Sequence, residues 1–131
     1  MPTGKILIVD DDEDIRETIK LALQNGGYKA LEAGDGEEAI NILHDGDNML
    51  NVPIILCDIR MPKVNGIECI EFLRREAPGI QIVVITGYPD PKMAAELKAK
   101  GIKEYLVKPI ESRKLMAIVD QLVSRGKDFD F

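Results

Sequence analysis

The chain has 131 residues, 45% hydrophobic and 31% charged, which fits one globular domain with a substantial core. Its formal net charge of −6 argues against direct binding to nucleic acid or to an anionic membrane. The sequence contains neither an apolar run near the roughly 18 residues of a membrane span nor the apolar region of a signal peptide. Cys57 and Cys69 lack metal-ligand spacing and lie in apolar segments, which favours buried thiols in a cytoplasmic protein.

Short apolar runs alternate along the chain with segments of helical periodicity. The runs predict buried strands, because they are too short for helices and are bounded by polar or glycine-containing turns. The helices are predicted by apolar residues three and four positions apart, most clearly Leu115, Ile118, Val119 and Leu122 in the last one. The predicted strands are residues 5–9, 28–33, 54–57, 80–85 and 103–107, and a helix is predicted after each.

Three local patterns complete the prediction of the elements. Asp35 and Glu38 have the spacing of a capping box at the start of the second helix. Residues 44–52 are polar and irregular, which predicts a surface loop. The chain has no internal repeat or linker before Arg125, so one domain is predicted over residues 1–124, with 125–131 as a C-terminal tail or the start of a linker.

The alternation predicts an α/β fold: a doubly wound, flavodoxin-like (βα)5 three-layer sandwich around a parallel five-stranded sheet of order 2-1-3-4-5. Polar side chains stand where four of these strands end. They are Asp10 and Asp11 after the first strand, Asp58 after the third, Thr86 after the fourth and Lys108 after the fifth. The first and third strands are neighbours in this order, so three carboxylates are expected at one edge of the sheet.

Carboxylates held so close together repel one another unless a cation lies between them. Oxygen ligands with room for water and phosphate oxygens suit Mg²⁺. A site that combines carboxylates, a divalent cation, a lysine and a hydroxyl group can place a phosphoryl group on an oxygen nucleophile. We therefore predict that Asp58 is a reactive centre.

Each of these residues also has a simpler interpretation when it is taken singly. Residues 10–14 fit an acidic helix start, Thr86 a strand-end hydroxyl, Lys108 a solvated charge and Tyr105 a packing residue. An EF-hand loop starting at Asp10 is excluded, because Ile15 stands where that loop needs glycine. Their joint occurrence at successive strand ends favours the functional interpretation.

From Lys5 to Val123 the chain resembles the receiver domain of two-component response regulators. The resemblance depends on motifs that occur in order at strand ends: Asp10-Asp11, Asp58 with Met61-Pro62 and Gly66, Thr86, Tyr105 and Lys108-Pro109. It implies a phosphorylation-activated signalling switch and not an enzyme with a separate substrate.

The resemblance also implies roles for individual residues. Asp58 would accept a phosphoryl group from phosphohistidine on a sensor histidine kinase or a histidine phosphotransfer protein. Mg²⁺ or Mn²⁺ would be held by Asp11, Asp58 and the backbone carbonyl of Arg60, with Asp10 acting through water. Lys108 would pair with Asp58 at rest and with the phosphoryl oxygens afterwards.

The implied switch involves the far end of the sheet. Thr86 would hydrogen-bond the phosphoryl group, and Tyr105 would turn inward to fill the space left. The Lys108–Pro109 peptide bond is expected to be cis, which is energetically accessible only before proline. The face formed by the fourth predicted helix, the fifth strand and the last helix would bind an output domain or a downstream protein, and a homodimer is left open.

Two variable positions lie two residues beyond the switch threonine and the phospho-acceptor. In the family these positions flank the route of the hydrolytic water, and here they are Tyr88 and Arg60. We hypothesise that the two side chains partly obstruct this route and lengthen the phosphoryl lifetime. An Arg60→Ala/Tyr88→Ala double variant that loses its phosphoryl group no faster than wild type would contradict the hypothesis.

Two other functional classes are considered. A haloacid dehalogenase-type phosphohydrolase would use Asp10 as its nucleophile, but its signature requires Thr or Val where Asp14 stands, and 131 residues leave no room for a cap domain. A flavodoxin-like cofactor carrier needs a Ser/Thr/Gly-rich phosphate loop after the first strand, and the sequence there is acidic. Whether the protein acts alone or is part of a longer regulator stays open.

Overall fold

The computed structural model describes residues 5–59, 66–87, 91–102 and 105–128. The strands within these ranges are β1 (Lys5–Val9), β2 (Lys29–Ala33), β3 (Ile54–Ile59), β4 (Gln81–Thr86) and β5 (Tyr105–Val107). They form one parallel sheet in the order β2-β1-β3-β4-β5, which confirms the predicted topology. In this order β1 and β3 are neighbours at the point where the direction of winding reverses.

The helices cover both faces of the sheet. They are α1 (Glu13–Asn25), α2 (Gly36–Leu43), α3 (Asn48–Asn51), α4 (Gly66–Glu76), α5 (Pro91–Ala99) and α6 (Ser112–Asp128). Within the described ranges, none of these helices has the length and apolar character needed to cross a membrane.

Successive side chains of the strands pack alternately into two separate hydrophobic cores, one on each face of the sheet. Leu7 and Ile55 lie in the cluster that includes residues of α2, α4 and α5. Ile6 and Leu56 lie in the cluster that includes residues of α1 and α6. Since successive strand residues point to opposite faces, strands buried on both sides must be apolar at nearly every position. The predicted three-layer sandwich is confirmed.

The turn between β1 and α1 is fixed by local hydrogen bonds. Asp12 is the N-cap of α1, and its carboxylate accepts the backbone N–H groups of Asp14 at 2.9 Å and Ile15 at 3.3 Å. The helix ends at Asn25, and Gly27 follows with φ of 91°, a backbone conformation that glycine adopts without strain. The N-cap sets the point at which the acidic segment turns from the sheet into α1, and the glycine ends that helix before β2.

The second helix begins with the predicted capping pattern, with one difference. Asp35 accepts the backbone N–H of Glu38 at 2.8 Å. The carboxylate of Glu38 reaches back to the N–H of Gly34 at 3.3 Å, one residue before the N-cap. The exchange therefore holds the end of the preceding turn as well as the first turn of the helix.

The loop predicted at residues 44–52 is wrong in part, because it contains the single turn α3. Asn48 accepts Lys5 Nζ at 3.1 Å and donates to the Ile42 carbonyl at 2.9 Å. Met49 packs on one of the two cores. These tertiary contacts stabilise a turn whose sequence is too short and polar to indicate a helix.

The last helix continues to Asp128, beyond residue 124. Leu115, Val119 and Leu122 are buried as predicted, and Ile118 is partly buried. The hydroxyl of Tyr28, the residue just before β2, donates to Asp120 on α6 at 2.6 Å and so links the turn before β2 to α6. The boundary between the domain and a tail at residue 124 stays a prediction.

Candidate functional site

The strands β3 and β4 carry two of the predicted site residues to the carboxyl edge of the sheet. Asp58 is the fifth residue of β3 and pairs with Ile85, so it lies within the strand and not beyond its end. Thr86 is the last residue of β4 and is 2% exposed. Ile59 pairs with Thr86, so β3 ends two residues later and β4 one residue later than the apolar runs predict.

Three carboxylates meet at this edge. One oxygen from each of Asp10, Asp11 and Asp58 lies within 4.8 Å of the others. Asp10 is 3% exposed and the Asp58 side chain 2% exposed, whereas Asp11 is exposed to solvent. The cluster is therefore buried at Asp10 and Asp58 and open to solvent at Asp11.

Lys108 places a positive charge beside the two buried carboxylates of the cluster. Its Nζ lies 2.8 Å from Asp58 Oδ1 and 3.9 Å from Asp10 Oδ2, and its side chain is 22% exposed. The backbone N–H of Lys108 donates to the Thr86 carbonyl at 2.8 Å, so the end of β5 is bonded to the end of β4. The peptide bond between Lys108 and Pro109 is cis.

The donor set fits a hard divalent cation. Among the described side chains, three carboxylates and one ammonium group have a formal charge of −2, and mutual repulsion of the carboxylates favours binding of a cation. The available donors are carboxylate oxygens, and the exposed position of Asp11 leaves room for water or phosphate oxygens. These features match the oxygen-rich, partly hydrated coordination that Mg²⁺ prefers.

Tyr105 does not join the cluster. It is the first residue of β5, paired with Val84, and the residue is 46% exposed. Its orientation is therefore outward in this structure.

The predicted roles of Arg60 and Tyr88, and the Met61-Pro62 segment, lie outside the described residues. Gly87, next to Tyr88, is described and exposed. Cys57, beside the candidate nucleophile, is a buried thiol.

Arg16 is a contact residue of the site that the sequence analysis missed. Its Nη1 donates to the Asp10 carbonyl at 2.6 Å, and its Nε donates to Glu32 of β2 at 3.2 Å. A signal was present, because a basic residue so near the start of a helix is unfavourable with the helix dipole. Its presence there indicates a specific partner.

The sequence and the fold were compared with known proteins. Residues 6–120 match the response regulator receiver domain. The chain is 33% identical over 125 residues to the transcriptional regulatory protein CpxR of Escherichia coli K12. The matched region covers 94% of this chain and 50% of CpxR. The chain is also 33% identical over 110 residues to the CAI-1 autoinducer sensor kinase/phosphatase CqsS of Vibrio cholerae, which covers 82% of this chain and 16% of CqsS.

The fold has a similar counterpart among solved structures. A CheY-like response regulator receiver domain protein from Methanospirillum hungatei matches with a TM-score of 0.83 and 25% identity, over 97% of this chain and 98% of that one. The chain spans about half the length of the first curated relatives it matches. Because the family match covers most of the residues, including the acidic turn, Asp58, Thr86 and Lys108, the chain belongs to the response regulator receiver domains, the phosphorylation-activated switches of two-component signalling.

Proposed function

We propose that Asp58 is the phospho-acceptor of this receiver domain. The observation that carries the proposal is the position of its carboxylate, 2.8 Å from Lys108 Nζ and within 4.8 Å of the Asp10 and Asp11 carboxylates. A nucleophile in this position has an ammonium group beside it that can neutralise the charge that arrives with a phosphoryl group.

The donor is phosphohistidine on a sensor histidine kinase or a histidine phosphotransfer protein. An oxygen of Asp58 attacks phosphorus, the new O–P bond forms as the P–N bond breaks, and the imidazole leaves with the electron pair and takes up a proton. The product is an aspartyl phosphate and a neutral histidine. The phosphoryl group carries a charge near −2 and three strong acceptor oxygens.

A divalent cation, Mg²⁺ or Mn²⁺, would be held by Asp11, Asp58 and the backbone carbonyl of Arg60, with Asp10 acting through water. When bound, it neutralises phosphoryl oxygens and withdraws charge from phosphorus. Lys108 holds Asp58 before the transfer and binds a phosphoryl oxygen after it.

Thr86 and Tyr105 convert the transfer into a change of surface. The Thr86 hydroxyl, at the buried end of β4, hydrogen-bonds the phosphoryl group. Tyr105 then exchanges its exposed orientation for an inward one. Since the chemical change is local, a two-state element of this kind is needed to carry it to a partner.

The surface that changes is formed by α5, β5 and the exposed side of α6. A downstream protein, an output domain or a second copy binds there. The relatives include longer proteins of different kinds. The chain matches 50% of CpxR, a transcriptional regulatory protein, and 16% of CqsS, a sensor kinase/phosphatase. We place the protein in the cytoplasm, where sensor kinases present their phosphohistidine.

Labelling by acetyl phosphate tests the proposal. Wild-type protein should incorporate phosphate in a Mg²⁺-dependent manner, and mass spectrometry should locate the group on Asp58. Asp58→Asn should abolish incorporation, while Asp45→Asn, a change at an exposed carboxylate, should leave it unchanged. Labelling that survives in Asp58→Asn but is lost in Asp10→Asn would contradict the proposal and favour a dehalogenase-type nucleophile.

A further inference from the structure

The guanidinium group of Arg16 joins the ends of two strands to α1. Its Nη1 donates to the main-chain carbonyl of Asp10, just after β1, at 2.6 Å. Its Nε donates to the carboxylate of Glu32 on β2 at 3.2 Å. The Arg16 side chain is 19% exposed, so these contacts are partly shielded from water.

The Asp10 carbonyl belongs to the peptide unit that leads into Asp11. Because this unit is planar, a hydrogen bond that fixes the carbonyl also fixes the direction in which Asp11 leaves the strand. Asp10 is also held elsewhere: its N–H donates to the Ala33 carbonyl at 3.0 Å, and its Oδ1 accepts the N–H of Asp12 at 2.9 Å. Arg16 adds the contact at the step from the buried carboxylate to the exposed one.

This step is the point at which the acidic cluster would relax. The carboxylates of Asp10, Asp11 and Asp58 repel one another, and Asp11 is the exposed member that can move away into water. We propose that Arg16 is a positioning residue that holds the Asp10–Asp11 peptide unit against this repulsion and thereby sets the affinity of the site for a divalent cation. The inference rests on the proposed function, because it requires a cation among these carboxylates.

The charge of Arg16 would by itself have the opposite effect. A positive charge near a cation site repels the cation, so its removal should tighten binding. Loss of positioning should weaken binding, as removal of outer hydrogen-bond partners commonly does at metal sites. The sign of the change in affinity therefore separates the two effects.

Lys20 provides a matched control on the same helix. Its Nζ lies 3.4 Å from the second carboxylate oxygen of Glu32, so Lys20→Ala also removes one positive charge from the same anion. In the described part of the chain, the ion pair of Lys20 is with Glu32 and not with the acidic turn. A difference between the two alanine variants reports the contact of Arg16 with Asp10.

The experiment is a titration with Mn²⁺ followed by electron paramagnetic resonance, with Mg²⁺ as competitor, on protein shown to be folded by circular dichroism. Arg16→Ala should raise the Kd of both ions about tenfold. Lys20→Ala should leave the Kd unchanged or lower it, and Arg16→Lys should recover part of the loss. An Arg16→Ala variant that binds as Lys20→Ala does, or more tightly than wild type, would overturn the inference.

A second variant covers the case in which Arg16→Ala does not fold. Glu32→Gln keeps Arg16 and weakens its anchor on β2, so the Kd should rise by about threefold; an unchanged Kd would overturn the inference. A wild-type protein that fails to bind either ion would overturn the proposed cation site itself. If the wild type binds and the Kd is unchanged in both variants, only the role of Arg16 is overturned.

Discussion

The carboxyl edge of the sheet and the contact between β2 and α6 both place polar groups against the core, but they balance charge differently. At the β2–α6 contact, the Tyr28 hydroxyl donates to Asp120 at 2.6 Å, and Asp120 is exposed to water. At the carboxyl edge, two buried carboxylates face one ammonium group, with Asp11 beside them. The first arrangement is a matched donor and acceptor, whereas among the described side chains of the second, three carboxylates accompany one ammonium group.

The difference indicates which region serves stability and which serves function. A donor matched to a hydrated acceptor lowers the free energy of the folded state and requires nothing further. A cluster of like charges raises that free energy, and it is retained where a ligand is to complete it. The described part of the chain therefore contains a matched polar pair and a cluster in which carboxylates outnumber ammonium groups.

Removal of the Lys108 ammonium group should have the largest effect on the carboxyl edge and none on the contact of Tyr28 with Asp120. Lys108→Ala should slow phosphorylation of Asp58 by acetyl phosphate about 100-fold, because one charged donor to the incoming oxygens is lost. The same change should tighten Mg²⁺ binding, since the carboxylates lose the cation that competes with the metal. Phosphate incorporation and Mn²⁺ titration measure the two effects.

Lys114→Ala is the matched control, because Lys114 is an exposed lysine on α6. It should change neither quantity. A Lys108→Ala protein that is phosphorylated at the wild-type rate would show that the 2.8 Å ion pair with Asp58 has no part in the reaction.

Loss of the contact between Tyr28 and Asp120 should lower the stability of the protein and leave its phosphorylation unchanged. Tyr28→Phe removes a hydrogen bond to a hydrated carboxylate, so the free energy of unfolding in urea should fall by about 1 kcal/mol at pH 8. The loss stays modest because Asp120 is exposed and regains water. Phosphate incorporation that falls with stability would contradict the separation of the two regions.

The same variant has a pH signature. Burial, together with the hydrogen bond and the charge of Asp120, raises the pKa of Tyr28 from 10.0 to about 12. Because the folded-state pKa is the higher one, this stabilisation is fully present below pH 10 and is lost as pH rises from 10 to 12. The stability difference between wild type and Tyr28→Phe should therefore shrink over that interval. A difference independent of pH would show that Tyr28 titrates normally.

The fold was predictable because its signals are redundant. Each central strand is buried on both faces, so nearly every residue of Ile54–Cys57 or Ile6–Val9 has to be apolar, and the strand is visible without a homologue. The alternation with helices then restricts the topology to a few parallel arrangements. Asp10, Asp11, Asp58 and Lys108 come together at one edge as a direct consequence of that topology.

The features that the sequence analysis missed depend on single tertiary contacts. The turn α3 forms because Asn48 bonds to Lys5, 43 positions away, and to Ile42. The position of Arg16 near the start of α1 is a signal, but the sequence does not identify its partner, because that partner is a main-chain carbonyl and every residue carries one. The exposure of Tyr105 depends on how its side chain packs at the end of the sheet, and composition does not determine it.

Neutralisation of one buried carboxylate gives the smallest expected effect and the sharpest test of the comparison. Asp10→Asn keeps an oxygen that can accept the N–H of Asp12 and removes one negative charge from the cluster. In EDTA, the variant should be more stable than wild type by about 0.5–1 kcal/mol, because like-charge repulsion is reduced. With Mg²⁺ the advantage should vanish, since the wild type gains the binding free energy of the ion. Urea unfolding in the two buffers measures both values, and a variant less stable than wild type in EDTA would show that the charges are already balanced.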